Sequence, residues 1–250
     1  MKIHFLGTNG WYDTYDTGNT ICTLIESKEG YIIFDAGFGI YRLDKYIKDD
    51  RPIFLFLSHF HMDHVCGFHV LPKFRFKQPL AIIFQDDPNS KRAFTALTSH
   101  PLCATIEQYS FPVKIVQIQP GGYIEPLKFE CLPLQHADSC LGYRLYLEDK
   151  IITYCSDTAP CENDLRLAQN ADILIHECAL VPGKSDFSWG HSNPAEAAEI
   201  AKQAKAKKLI LTHFGANSYV TQKKRLEGLK VAKKVFINTI IAKDNLTIKL

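Results

Sequence analysis

The stretch Ser58-His59-Phe60-His61-Met62-Asp63-His64 decides how this sequence is interpreted. It follows Ile53–Leu57, an apolar run typical of a buried strand, and leads into His64–Leu71, where the pattern predicts a short helix. Three imidazoles and a carboxylate within six positions are hard to explain as packing. Neutral histidine is the commonest metal ligand in proteins, so the stretch predicts a metal site.

The spacing of these side chains indicates how ions would be shared. Side chains two apart in an extended chain point the same way, so His59 and His61 can reach one ion. Where the chain turns into the helix, Asp63 and His64 can face a second ion. Imidazole and carboxylate ligands without a thiolate favour zinc, with manganese or iron as alternatives.

The composition is that of an ordinary globular protein. The 250 residues include 29 Lys and Arg against 27 Asp and Glu, a net charge of +2, with 46% hydrophobic and 22% charged residues. These values exclude disorder and a polyanion-binding tail, and they predict one domain over residues 1–250. No apolar run approaches the roughly 18–20 residues of a membrane span, and no signal-peptide core is visible. We therefore expect a cytoplasmic protein without a membrane partner, whose eight scattered cysteines are reduced.

Short strands predominate along the chain, with a few helices between them. β-Branched and aromatic runs recur from Lys2–Leu6 to Leu246–Leu250. Asn193-Pro194 is a typical helix start, which predicts a helix over Ala195–Lys207. A second helix is predicted over Thr221–Lys234, with Leu226 on its apolar face and its lysines turned to water. This alternation favours sheets covered by helices.

The motif His59-x-His61-x-Asp63-His64 resembles the signature of the metallo-β-lactamase superfamily. The resemblance implies an α/β (α+β) fold, a four-layer αββα sandwich with metals along one edge. Three later residues match the family's remaining ligands, each after a predicted strand: His136, Asp157 and His213. In this correspondence the metal ligands are His59, His61, Asp63, His64, His136, Asp157 and His213.

The resemblance also implies how such a site works. Two divalent ions would hold a bridging hydroxide, and Asp157 would bridge the ions and set their spacing. Asp35, in Phe34-Asp35-Ala36-Gly37, would accept a hydrogen bond from a ligand imidazole and so fix its tautomer. An ordinary turn aspartate is the alternative for that residue.

A second pair of segments narrows the branch of the family. Ile175-His176-Glu177-Cys178 and Trp189-Gly190-His191-Ser192 resemble the ribonuclease Z-like branch, near which cyclic-phosphate phosphodiesterases belong. The resemblance implies that Glu177 orients His191, which contacts the scissile phosphate or protonates the departing oxygen. We count Asp63, Glu177 and His191 as the catalytic residues. Alternatively, His191 caps the following helix and Glu177 sits in a salt bridge.

The chain departs from ribonuclease Z in one segment. That family carries a long glycine-rich arm that grips tRNA, but only residues 137–156 lie here between His136 and Asp157. Two predicted strands use most of them, which argues against tRNA as a partner. We therefore expect a phosphodiesterase acting on a small phosphodiester or nucleotide-like substrate, as a possible homodimer.

Other functions stay open at this point. The same dinuclear site suits a carboxylic ester, lactone or thioester hydrolase, and a single-iron oxygenase or a non-catalytic metal-bound module is a further alternative. Cys66 can approach the second metal or pack at the helix start. Trp11 and Tyr12 can form a stacking platform or close the edge of the sandwich.

Overall fold

Two mixed β-sheets lie face to face in the structure, a computed structural model that describes residues 1–121 and 127–250. The first sheet has seven strands in the order β15 (Leu246–Lys249), β1 (Lys2–Gly7), β3 (Cys22–Glu26), β4 (Tyr31–Phe34), β5 (Ile53–Phe56), β6 (Leu80–Gln85) and β7 (Val113–Ile118). The second has six in the order β14 (Thr239–Ile241), β12 (Leu209–Thr212), β11 (Ile173–Glu177), β10 (Lys150–Cys155), β9 (Leu141–Leu147) and β8 (Lys128–Pro133). A small third sheet pairs β2 (Asn9–Gly10) with β13 (Phe214–Gly215).

Helices cover the outer face of each large sheet. They are α1 (Met62–Val65), α2 (Pro88–Leu97), α3 (Glu162–Ala168), α4 (Pro194–Gln203) and α5 (Gln222–Val235), with 3₁₀ segments at Phe38–Lys45, Cys66–Lys73 and Ile106–Gln108. One apolar cluster joins the first sheet to the two longer 3₁₀ segments and α2, and another joins the second sheet to α3, α4 and α5. The predicted αββα sandwich is confirmed. No helix among the described residues is both long and apolar enough to cross a membrane.

The central core lies between the two sheets and is rich in aromatic rings. Phe34 of β4 stacks on Tyr154 of β10 with ring centroids 4.5 Å apart, and Tyr143 of β9 packs beside both sheets at 5.1 Å from Phe56. All four rings are buried. Burying one large apolar side chain stabilises a fold by about 1.5–3 kcal/mol, so these contacts stabilise the packing of one sheet on the other.

The two predicted long helices are present, with two corrections. Asn193 caps α4 as the sequence indicated, but α4 ends at Gln203, before the predicted Lys207, and Thr221, the predicted first residue of α5, is its cap. Leu226 was expected on the apolar face and is 49% exposed, whereas Arg225 is fully buried. The Arg225 side chain donates to Thr8 and Asn9 and lies over the Phe214 ring, so polar partners from distant segments draw it inward.

The segment after His64 also differs from the helix predicted over His64–Leu71. It forms only the single turn of α1 and then the 3₁₀ segment Cys66–Lys73. The backbone explains the interruption, because His64 O accepts from Ala36 N at 2.7 Å and Gly67 N donates to Ala36 O at 2.8 Å. These groups bond to the loop after β4 in place of a continuous helix.

The strand directions bring the polar loops to one edge. Strands β4 and β5 run parallel in the first sheet, and β10, β11 and β12 run parallel in the second. Residues that follow these strands therefore meet at their carboxyl ends, where open α/β sheets place their ligands.

Candidate metal centre

The predicted site residues lie at the carboxyl ends of strands from both sheets. Asp35 follows β4, and the loop that carries His59, His61, Asp63 and His64 follows β5. In the second sheet the positions are beyond β8, β10 and β12 and at the end of β11, occupied by His136, Asp157, His213 and Glu177. Residues far apart in the chain thus share one edge of the sandwich.

One group of four side chains has the composition of a metal site. Potential ligand atoms of His59, His61, His136 and Asp157 all lie within 4.8 Å of one another. The Nε2 atom of His61 faces Asp138 at 2.8 Å, so its Nδ1 is the ring nitrogen that remains for a metal. Asp138 was not among the predicted site residues, although its position two residues after His136 was a usable signal.

A second group lies beside the first and contains Asp63, His64 and His213. The Nε2 atoms of His64 and His213 are 3.1 Å apart, and His213 Nε2 is also 3.1 Å from Asp63 Oδ2. The same carboxylate oxygen accepts from the backbone N–H of Trp11 at 2.6 Å. Burial alone would raise the pKa of Asp63, but the two imidazoles hold it below its usual range.

Asp157 faces both groups. Its Oδ1 lies 3.3 Å from His64 Nε2 and 3.2 Å from His213 Nε2, while its Oδ2 lies 3.8 Å from His59 Nε2. Burial opposes ionisation, yet the surrounding imidazoles hold the pKa of Asp157 well below its usual range. One carboxylate oxygen is therefore directed at each group.

Unpaired buried nitrogens test whether these residues fit a metal. The Nε2 atoms of His59 and His136 are buried without a hydrogen-bond partner among the described residues, each within 3.9 Å of Asp157 Oδ2. Burial lowers the pKa of both imidazoles, which favours the neutral form that binds metals. Because unpaired buried polar atoms are costly, the donor set fits a divalent cation such as zinc.

Asp35 holds one of the imidazoles in a single orientation. Its Oδ2 accepts from His64 Nδ1 at 2.9 Å and from the Tyr154 hydroxyl at 2.7 Å. Its Oδ1 accepts from the backbone N–H of Ser58 at 2.8 Å and from the Ser58 hydroxyl at 2.9 Å. A proton held on Nδ1 would leave the lone pair of His64 Nε2 for a metal, which is the geometry expected of a carboxylate behind a metal ligand.

The Glu177–His191 pair borders the two groups. Glu177 is fully buried, and its Oε1 lies 3.0 Å from His191 Nδ1. The same carboxylate accepts from the backbone N–H groups of Ser192 and Ala179 at 2.9 and 2.6 Å. Burial would lower the pKa of His191, but the Glu177 carboxylate raises it to about 9. The side chain that caps α4 is Asn193, so the alternative of a helix-capping His191 is wrong.

A cavity of about 490 Å³ opens over these residues. Its walls include Asp63, Asp157, His191 and both tryptophans of the chain, Trp11 and Trp189. Trp189 was not among the predicted site residues. Its position within the Trp-Gly-His-Ser segment was the signal available.

Cys66 takes no part in the two groups. Its Sγ lies 3.4 Å from Thr20 Oγ1, and it belongs to none of the described side-chain sets that could hold a metal. The geometry therefore favours the packing alternative. A different thiol, Cys140, approaches His59 Nδ1 at 3.7 Å and was missed because nothing local in the sequence marks it.

The net charge of +2 hides an uneven distribution. Residues 201–250 contain twelve Lys and Arg against two acidic residues, so the rest of the chain is net negative. Five exposed lysines lie on α5, which begins four residues after Ser218 of the cavity wall. None has an ion-pair partner within the described parts of the chain: Lys223, Lys224, Lys230, Lys233 and Lys234. The lysines face water as predicted, and they form a strongly basic surface.

Comparisons with known proteins agree with this fold. Residues 31–214 match the family model described as "Beta-lactamase superfamily domain". The chain is 30% identical to ribonuclease BN of Proteus mirabilis over 100% of both chains, and the alignment spans 315 positions against the 250 residues here. Among solved structures, the metallo-β-lactamase fold protein YhfI of Bacillus subtilis has a TM-score of 0.81 at 24% identity, covering 99% of each chain. The short form of human tRNase Z has a TM-score of 0.75 at 23% identity, covering 100% of this chain and 99% of that one.

Proposed function

The chain belongs to the metallo-β-lactamase superfamily, in its ribonuclease Z-like branch, and on that premise we propose that it is a metal-dependent phosphodiesterase. The superfamily assignment makes it a hydrolase and implies divalent metal ions. The proposal adds the bond cleaved and the residues that cleave it. Its principal support is the Glu177–His191 pair beside Asp157, because leaving-group protonation is the step that a phosphodiester requires.

The metal ligands in this proposal fall into two sets. The first consists of His59, His61, His136 and Asp157, and the second of Asp63, His64, His213 and the other oxygen of Asp157. Divalent ions bound there would lower the pKa of water and offset the negative charge of the phosphate. Asp35 keeps His64 in the tautomer that exposes Nε2.

The protein's own proton chemistry follows from the pair. In the reaction an oxygen of water adds to phosphorus and the bond from phosphorus to the departing oxygen breaks. Glu177 holds Nδ1 of His191 and keeps the ring charged, so Nε2 can deliver a proton to the departing oxygen. The carboxylate itself is fully buried and stays an acceptor of backbone hydrogen bonds.

The substrate is a nucleotide-like phosphodiester in this proposal, and an RNA end is the second candidate. The sequence-based argument against tRNA has support in the hairpin of β9 and β10, which takes up most of residues 137–156. However, the named relative is a ribonuclease, and the lysines of α5 suit a phosphate backbone. The homodimer stays a prediction.

The experiment compares bond classes and metal dependence in one protein. Zinc-loaded enzyme is assayed with bis(p-nitrophenyl) phosphate, a short RNA, and a panel of lactones and thioesters. We expect phosphodiester turnover that a chelator abolishes and added zinc restores, with two metals per chain by elemental analysis. Turnover of the carboxylic esters alone, or iron with oxygen consumption, would refute the proposal.

A further inference from the structure

Both tryptophans of the chain lie at the cavity, although neither takes part in the core. Trp11 is 66% exposed and Trp189 is 58% exposed. Tryptophan is normally well buried, because its large apolar surface is costly to leave in water. Two exposed indoles on separate loops at one cavity therefore indicate a surface that a ligand covers.

Trp11 is held in place by its surroundings. Its φ of 76° lies in the left-handed region, which a bulky residue adopts only when its environment imposes it. Its backbone N–H donates to Asp63 Oδ2 at 2.6 Å, so the loop is tied directly to the second group of candidate ligands. The Asn9 side chain braces the loop by donating to Tyr12 O at 3.1 Å and to Gly18 O at 2.9 Å.

Trp189 is fixed beside the first group. Its backbone N–H donates to Asp186 Oδ1 at 3.1 Å, and its carbonyl accepts from Ala137 N at 3.1 Å. The next residue, Gly190, has a φ of 82°, and a Cβ there would lie 2.3 Å from Gln135 O. The turn is therefore closely packed, and it holds the indole 6.1 Å from the His61 ring.

We infer that Trp11 and Trp189 bind a nucleobase by stacking, one sugar away from the phosphate that the candidate metal groups would hold. This inference rests on the proposed function for the position of the phosphate. Every nucleobase has a planar face that stacks on an aromatic side chain. The cavity is within the usual size range of small-molecule sites. An acyl chain finds less there, since the aliphatic side chains among the described lining residues are Ala179 and Leu180.

The two tryptophans also supply the test, because the protein has no others to contribute fluorescence. Zinc-loaded enzyme is titrated with adenosine 5′-monophosphate and, separately, with ribose 5-phosphate and inorganic phosphate. We expect saturable quenching by the nucleotide alone. Equilibrium dialysis with labelled nucleotide then gives affinities for W11A and W189A, each weaker than wild type by about 5- to 150-fold.

The matched control is Y15A. Tyr15 is a fully exposed ring on the same loop as Trp11, and it does not line the cavity. The affinity of Y15A for the nucleotide stays within about twofold of wild type. Equal binding of the nucleotide and ribose 5-phosphate, or quenching by a medium-chain lactone but not by the nucleotide, would overturn the inference. Hydrolysis of a base-free glycerophosphodiester separates the two proposals. If it proceeds while the nucleotide fails to bind, the phosphodiesterase stands and base stacking falls. If the nucleotide binds and no phosphodiester is cleaved, base stacking stands and the phosphodiesterase falls.

Discussion

Replacing Asp35 by asparagine tests whether a buried carboxylate sets the tautomer of a candidate metal ligand. An amide has one accepting oxygen, so its NH₂ must face either Ser58 N–H or His64 Nδ1–H. In the first case a buried donor is left unpaired, and in the second His64 moves its proton to Nε2 and no longer offers a lone pair there. Loss of such a partner typically weakens metal binding by about 10- to 100-fold, or about 1.4–2.7 kcal/mol.

The assay is competition for zinc between the protein and a chromophoric chelator. Urea denaturation of the metal-free protein, prepared with a chelator, accompanies it. The free energy of unfolding of D35N falls by about 1–3 kcal/mol for the unpaired donor. Y154F is the control, because it also removes one hydrogen bond to Asp35 but leaves the carboxylate intact. Zinc affinity of folded D35N within twofold of wild type, or an equal loss in Y154F, would refute the reasoning.

Three further outcomes are expected. H191A lowers turnover of an alkyl phosphodiester by about 10²- to 10⁴-fold, because the departing alkoxide needs a proton. Turnover of a nitrophenyl phosphodiester falls by less, and the metal content is unchanged, with H69A as the control. Equal losses for both esters would contradict proton donation. Burial would lower the pKa of His176, but the Asp164 carboxylate of α3, 3.5 Å from His176 Nε2, raises it above 6.5. Protonation therefore stabilises the fold below the unfolded pKa, and this contribution is lost as the pH rises through the raised value. Urea denaturation should show a larger deficit for H176Q in mild acid than in alkali, and a pH-independent deficit would contradict it. K230A/K234A makes the affinity for single-stranded RNA less dependent on salt, reducing the steepness of log affinity against log salt by about 1.4. An unchanged slope would exclude α5 as a contact.

Much of the fold could be predicted because its signals are local. The strand before the histidine motif, the capped start of α4 and the position of α5 each depend on neighbouring residues. The convergence of Asp157 and His213 with that motif followed from family order and strand direction. Their distances agree with the expectation, while their roles as ligands stay predictions.

The remaining features depend on contacts that no local pattern encodes. Helical periodicity placed Leu226 in the core, but the adjacent Arg225 is buried because Thr8 and Asn9 accept its hydrogen bonds from the other end of the chain. The exposure of Trp189 likewise depends on a turn that packs against Gln135. The basic cluster in residues 201–250 is different, because it is visible along the sequence and was concealed only by the nearly neutral total charge.

The placement of Asp157 has a thermodynamic consequence. Since one oxygen points at each group, a cation bound on either side would withdraw negative charge from the carboxylate that the other side shares. If the proposed two ions bind, their occupancies would be linked reciprocally: whatever the first ion did to the affinity for the second, the second would do equally to the first. A zinc titration of this protein should accordingly deviate from two independent isotherms, and substituting a ligand on one side should change affinity on the other.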